Sequence, residues 1–122
     1  MVFTHAIVRK PARNFDRGIT TSLLGPPDYE LITAQHAAYV RVLESLGLDV
    51  ILLDSMPDYP DAAFVEDTAV VTPKVAIITR PGARSRQGEE KTIAPVLSSY
   101  RKIEHIDPPG TVDGGDVLMV GN

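Results

Sequence analysis

Two acidic segments and one basic segment carry the residue types able to do chemistry in this chain of 122 residues. The first acidic segment is Asp61-Ala62-Ala63-Phe64-Val65-Glu66-Asp67. Glu66 and Asp67 sit between apolar neighbours, so burial of at least one carboxylate is expected, and a buried carboxylate needs a cation or strong donors. A planar guanidinium suits it, through paired charge-assisted hydrogen bonds. An internal arginine partner or a solvated loop would satisfy the same residues. The second segment, Val112-Asp113-Gly114-Gly115-Asp116, joins two carboxylates to paired glycines that let backbone approach a ligand closely or simply make a turn. The basic segment, Arg80-Pro81-Gly82-Ala83-Arg84-Ser85-Arg86, offers arginines to a carboxylate or to solvent. Carboxylates for a guanidinium and an arginine for a carboxylate together describe arginine itself as a ligand.

Other chemistries find no footing. The chain has no cysteine, which excludes disulfides, thiolate metal sites and thiol catalysis within these residues. His5, His36 and His105 lack metal-ligand spacing, so no metal or cofactor is expected. No nucleophile elbow, phosphate-binding loop or dinucleotide fingerprint occurs. A net charge of −4 recommends neither a nucleic-acid nor an anionic-membrane partner. No apolar run is long enough to cross a bilayer, and no signal-peptide pattern opens the chain, so a cytoplasmic location is expected. A composition 43% hydrophobic and 23% charged is that of a folded soluble protein rather than a disordered chain.

The elements that must position these residues follow from periodicity. Residues 2–8 and 48–53 are short apolar runs that read as buried strands. Between them, residues 9–27 form a long loop broken by Pro11, Gly18 and Gly25, the kind that serves as a functional flap. Asp28 caps a helix whose stripe of Ile32, His36, Tyr39, Leu43 and Leu46 faces a core, with Gly47 as its stop. Residues 68–72 and 75–79 read as a hairpin, residues 87–100 as a second helix with an awkward Pro95, and residues 102–106 as a strand. Residues 116–120 open a further strand, with Gly121-Asn122 as its turn.

The chain also repeats. Ala6-Ile7-Val8-Arg9-Lys10-Pro11-Ala12 matches Ala76-Ile77-Ile78-Thr79-Arg80-Pro81-Gly82, and each is followed by a helix, a strand and an acidic loop. This implies a β-β-α-β module used more than once. The last strand is expected to lack its partner, so residues 1–122 read as an incomplete set of modules, cut within one. A small complete domain with a fraying terminal strand is the plainer alternative.

At these motifs the sequence resembles the dimethylarginine dimethylaminohydrolases, within a guanidine-modifying superfamily that includes arginine deiminases and amidinotransferases. The resemblance is carried by Arg9-Lys10-Pro11-Ala12-Arg13, Phe64-Val65-Glu66-Asp67, Ile77 to Ala83, Ser85-Arg86, and Pro109 to Asp116. It implies a pentein-type α/β propeller of five modules, of which this chain holds the N-terminal ones, and hydrolysis of N-methylated arginine to citrulline plus an alkylamine. By the resemblance Asp67 holds the substrate guanidinium with Glu66 and Phe64 beside it. Asp61 and the backbone carbonyl of Ile19 take the α-ammonium, Arg86 takes the α-carboxylate, and Asp113 fills the third catalytic position. The family's cysteine nucleophile and its histidine belong to later modules, which implies that these 122 residues alone are inactive. The competing expectations are an arginine deiminase-like enzyme and a non-catalytic binding or assembly protein of the same fold. The open terminal strand offers a surface for homo-oligomer pairing.

Overall fold

Asp28 begins the longest element because its carboxylate accepts the backbone N–H of Leu31 at 2.8 Å, satisfying one of the donors a helix leaves free at its start. The computed structural model describes residues 3–120, and in it helix α1 runs Tyr29–Ser45. Gly47, at φ +84°, turns the chain out of the helix in a conformation that costs glycine least. The buried stripe is rotated slightly from the expected one. Ile32, His36, Val40 and Leu43 are half-buried, whereas Tyr39 and Leu46 lie on the rim, 54% and 72% exposed. A 3.6-residue repeat followed over four turns drifts against a strict four-three pattern, so Leu46 at its end leaves the covered face, and Val40 rather than Tyr39 is covered in mid-helix.

The chain divides into two compact units, residues 1–63 and 64–122. In the first, strand β1 (His5–Arg9) pairs in parallel with β2 (Asp49–Leu53), register His5↔Asp49 through Arg9↔Leu53, with α1 as the crossover. Val2, placed in the first strand by its sequence, lies outside the described residues, as do Gly121 and Asn122. In the second unit, β3 (Ala69–Val71) and β4 (Val75–Ile78) form the expected hairpin, and β4 pairs in parallel with β5 (Lys102–His105). β4 buries Ala76 and Ile78 fully and half-buries the alternate residues, the period-2 signature of a strand in a core. Both units therefore repeat a strand, a helical crossover and a parallel strand, as the internal repeat predicts.

Two elements differ from expectation. The helix over 87–100 is reduced to α2 (Ala94–Ser98), preceded by a 3-10 turn at Glu89–Thr92. Pro95 has no N–H to continue an earlier helix and is tolerated only in a first turn, so the helix starts there. Gly88, at φ +120°, breaks the chain before it. Ile93 and Leu97 still reach the core beside Ile78 at 2–5% exposure. The strand over 116–120 is not formed: Gly114–Asp116 is a 3-10 turn, and the residues from Val117 onward find no ladder partner among the described residues. No helix among them is long and apolar enough to cross a membrane.

Candidate functional site

Every candidate residue lies at one kind of place, the loops outside the carboxyl ends of the parallel strands. Ile19 follows β1, Asp61 follows β2, Arg86 follows β4 and Asp113 follows β5. Glu66 and Asp67 precede β3, but β3 runs antiparallel to β4 with Ala69 opposite Ile78, which brings its start to that same end. This is the edge where α/β sheets hold ligands, because diverging loops leave a crevice there.

In residues 1–63 the structure joins Asp61 to Ile19. The Asp61 side chain is buried, and the Ile19 N–H donates to both carboxylate oxygens at 3.2 and 3.1 Å. The backbone group of Ile19 that faces Asp61 is thus its N–H. Gly18 permits this approach, since a Cβ there would stand 2.5 Å from Asp61 Oδ1. The flap carrying both is tied down by Asn14, whose side-chain amide donates to the Pro57 carbonyl at 2.8 Å.

In residues 64–122 the structure gathers Asp67, Arg86, Gly115 and Glu89. Asp67 lies in the 3-10 turn Val65–Thr68, fixed from behind by the Thr79 hydroxyl, which donates to the Asp67 carbonyl at 2.6 Å. Its Oδ1 accepts the Gly115 N–H at 3.0 Å and its Oδ2 accepts Arg86 Nη1. Arg86 is buried and also donates to the Glu89 carboxylate through Nε and Nη2, and to the Phe64 carbonyl at 3.2 Å. Burial works against the Arg86 charge, but hydrogen bonds to Glu89 and Asp67 and their two negative charges outweigh it, holding its pKa above that of an ordinary arginine. The paired glycines have a steric reason. A Cβ on Gly114 would strike the backbone carbonyls of Glu66 and Ala69, and one on Gly115 would sit 2.5 Å from Asp67 Oδ1. Asp113 Oδ2 accepts the Gly82 N–H at 3.2 Å, so the ends of the Arg80–Arg86 loop and the glycine turn are stitched together.

Glu66 and the Phe64 side chain are exposed beside this cluster. What the structure shows of Arg86 is an internal pairing, one of the alternatives its sequence left open. Glu89, Gly18 and Thr79 went unrecognised in the sequence. Glu89 stands three residues after Arg86, a spacing that puts side chains together on a helical turn, but it reads equally as the start of an ordinary charged helix. A separate pocket beside α1, lined by Pro11, Tyr29, His36, Val40 and Leu52, contains none of the predicted site residues. No group of three or more His, Asp or Glu able to hold a metal occurs among the described residues.

No family model matches the chain. The N(G),N(G)-dimethylarginine dimethylaminohydrolase of Pseudomonas aeruginosa is 46% identical over 123 aligned positions, 99% of this chain and 48% of the relative. That of Streptomyces coelicolor is 38% identical over 119, covering 96% of this chain and 46% of the relative. The chain thus spans about half the length of the curated relatives it matches. The crystal structure of a variant of the Pseudomonas aeruginosa enzyme complexed with citrulline superposes with a TM-score of 0.96 at 46% identity, over 99% of this chain and 48% of that one. Along nearly its whole length the chain is similar to the dimethylarginine dimethylaminohydrolases, and it shares their α/β fold.

Proposed function

We propose that these residues supply the N-terminal, substrate-holding modules of a cytoplasmic hydrolase that converts N-methylated arginine to citrulline and an alkylamine. The observation that carries the proposal is Asp67, a carboxylate held on one oxygen by the Gly115 N–H and on the other by Arg86, in a chain 46% identical to a dimethylarginine dimethylaminohydrolase. An ionised carboxylate has about four acceptor positions, so one remains on each oxygen for a substrate guanidinium. Glu66 and Phe64 flank that position. Asp61, with Ile19, takes the α-ammonium, whereas Arg86, expected to take the α-carboxylate, is engaged by Asp67 and Glu89 and steadies Asp67 instead. Asp113 orients the reacting group from the third catalytic position. The reaction needs a nucleophile for the guanidinium carbon, and in this family a cysteine forms a covalent intermediate that water then releases. The 122 residues contain no cysteine, so on this proposal they do not turn over substrate alone.

The test is citrulline release from dimethylarginine and from arginine by the protein that carries this sequence, native and Asp67→Ala. The expected result is faster turnover of dimethylarginine and loss of nearly all turnover in the variant. Near-normal turnover by the variant would move the guanidinium site elsewhere, and a preference for arginine would assign a deiminase-like activity instead. A second reading is a non-catalytic binding or assembly protein of this fold, for which Leu118 and Val120, each 85% exposed, offer a self-pairing surface.

A further inference from the structure

Glu89 is the most deeply buried ionisable residue in the cluster, at 1% exposure, and the proposed function gives it no role. Its carboxylate grips Arg86 by three contacts: Nε to Oε1 at 3.1 Å, Nε to Oε2 at 3.2 Å and Nη2 to Oε2 at 2.8 Å. Gly88, at φ +120°, turns the chain so that a residue three positions on can face Arg86, and the Gly88 N–H is itself held by Glu90 Oε2 at 2.7 Å. Arg86 therefore lies between two carboxylates, Glu89 and Asp67.

The formal charges decide what that arrangement can bind. Were Asp67 the sole partner of Arg86, the pair would be neutral, and nothing in it would prefer a cation to an uncharged ligand of the same shape. With Glu89 present, two negative charges face one positive charge, and the excess falls on the more exposed carboxylate, Asp67. Placing a full charge at 1% exposure is costly, and a neutral glutamine could make some of the same hydrogen bonds, so packing alone does not require glutamate here.

We infer that Glu89 is a specificity-determining positioning residue: by neutralising Arg86 it leaves Asp67 with a net negative charge, which selects a guanidinium over its neutral urea counterpart. The inference rests on Asp67 as the guanidinium holder. It explains why a site beside a buried arginine would attract a second cation, and why the neutral ureido product would be held less tightly than the substrate.

The experiment follows the Gly115 amide by NMR, since that N–H donates to Asp67, during titration with methylguanidinium and with methylurea. Native chain, Glu89→Gln, and the double variant Arg86→Gln/Glu89→Gln are compared. The double variant removes one charge of each sign, so its local charge equals the native one. Methylguanidinium is expected to bind native and double variant alike and Glu89→Gln about tenfold more weakly, the scale of one unit charge a few Å away in a partly screened site. Methylurea should respond equally in all three. Equal weakening of both probes by Glu89→Gln, no weakening of either, or a double variant no better than the single would overturn the inference and leave the Asp67 site standing. No response of the native chain to methylguanidinium would overturn the Asp67 site and the inference with it. Should Glu89→Gln not fold, Glu89→Asp and the double variant carry the test, because each keeps the native charge sum. Loss of the preference for the cation in either one overturns the inference.

Discussion

Replacing Gly115 by alanine tests the packing of the glycine turn against Asp67. The added Cβ would stand 2.5 Å from Asp67 Oδ1, about 0.9 Å inside ordinary contact. Asp67 has little room to yield. Its other oxygen is held by Arg86, and its backbone carbonyl by the Thr79 hydroxyl at 2.6 Å. The turn must therefore lift, and the 3.0 Å hydrogen bond from residue 115 to the carboxylate goes with it. Overpacking of this size costs about 1–3 kcal/mol and loss of a hydrogen bond to a charged acceptor about 1.5–3 kcal/mol. One displacement relieves the first by giving up the second, so the two overlap, and a net loss of about 2–3 kcal/mol is expected. At a urea slope of about 1–2 kcal/mol per molar for a chain of this size, the unfolding midpoint read by circular dichroism falls by about 1–3 M. Gly47→Ala is the control. Nothing lies within 4 Å of its Cβ, and its φ of +84° charges only backbone strain, about 1 kcal/mol. A midpoint for Gly115→Ala no lower than that of Gly47→Ala, with exchange protection of amide 115 intact, would refute the steric reasoning.

Two more outcomes follow from buried charge. Arg86→Met leaves Glu89 at 1% exposure without its cation, so a loss of about 3–5 kcal/mol in urea unfolding is expected, with most of it restored in Arg86→Met/Glu89→Gln; no loss in the single variant would mean that Glu89 is not held charged by Arg86. His36 lines an apolar pocket, and burial lowers its pKa below the ordinary 6.5, partly offset by a hydrogen bond to the Arg9 backbone. The unfolded chain then takes up the proton first, so the His36 contribution is complete above pH 6.5 and is lost as pH falls toward the folded value. His36→Leu should flatten the fall of the urea midpoint between about pH 7 and pH 5, and an unchanged slope would show that His36 does not carry it.

What the sequence alone determined is what local forces decide. Asp28 and Gly47 bracket α1 because a side-chain cap and a left-handed glycine act within a few residues of themselves. The apolar runs became β1, β2, β4 and β5, and the repeat between Ala6–Ala12 and Ala76–Gly82 reappears as two parallel crossovers. The apolar neighbours of Glu66 and Asp67 pointed to a carboxylate that needs donors, and Asp67 has them. Local rules also marked Pro95 as awkward, and the same rule, that proline fits only a first turn, fixes where α2 begins. Tertiary structure decided who meets whom. Gly115 reaches Asp67 from 48 residues away, and Gly82 reaches Asp113 from 31, so no spacing rule connects them. The same holds for Gly18, whose missing Cβ matters only because Asp61 occupies that space. Arg86 could as well have faced solvent as lain between Asp67 and Glu89. Only the return of the chain from β4 past Gly88 closes it onto both carboxylates, because the energy of a buried ion pair depends on geometry that composition does not contain.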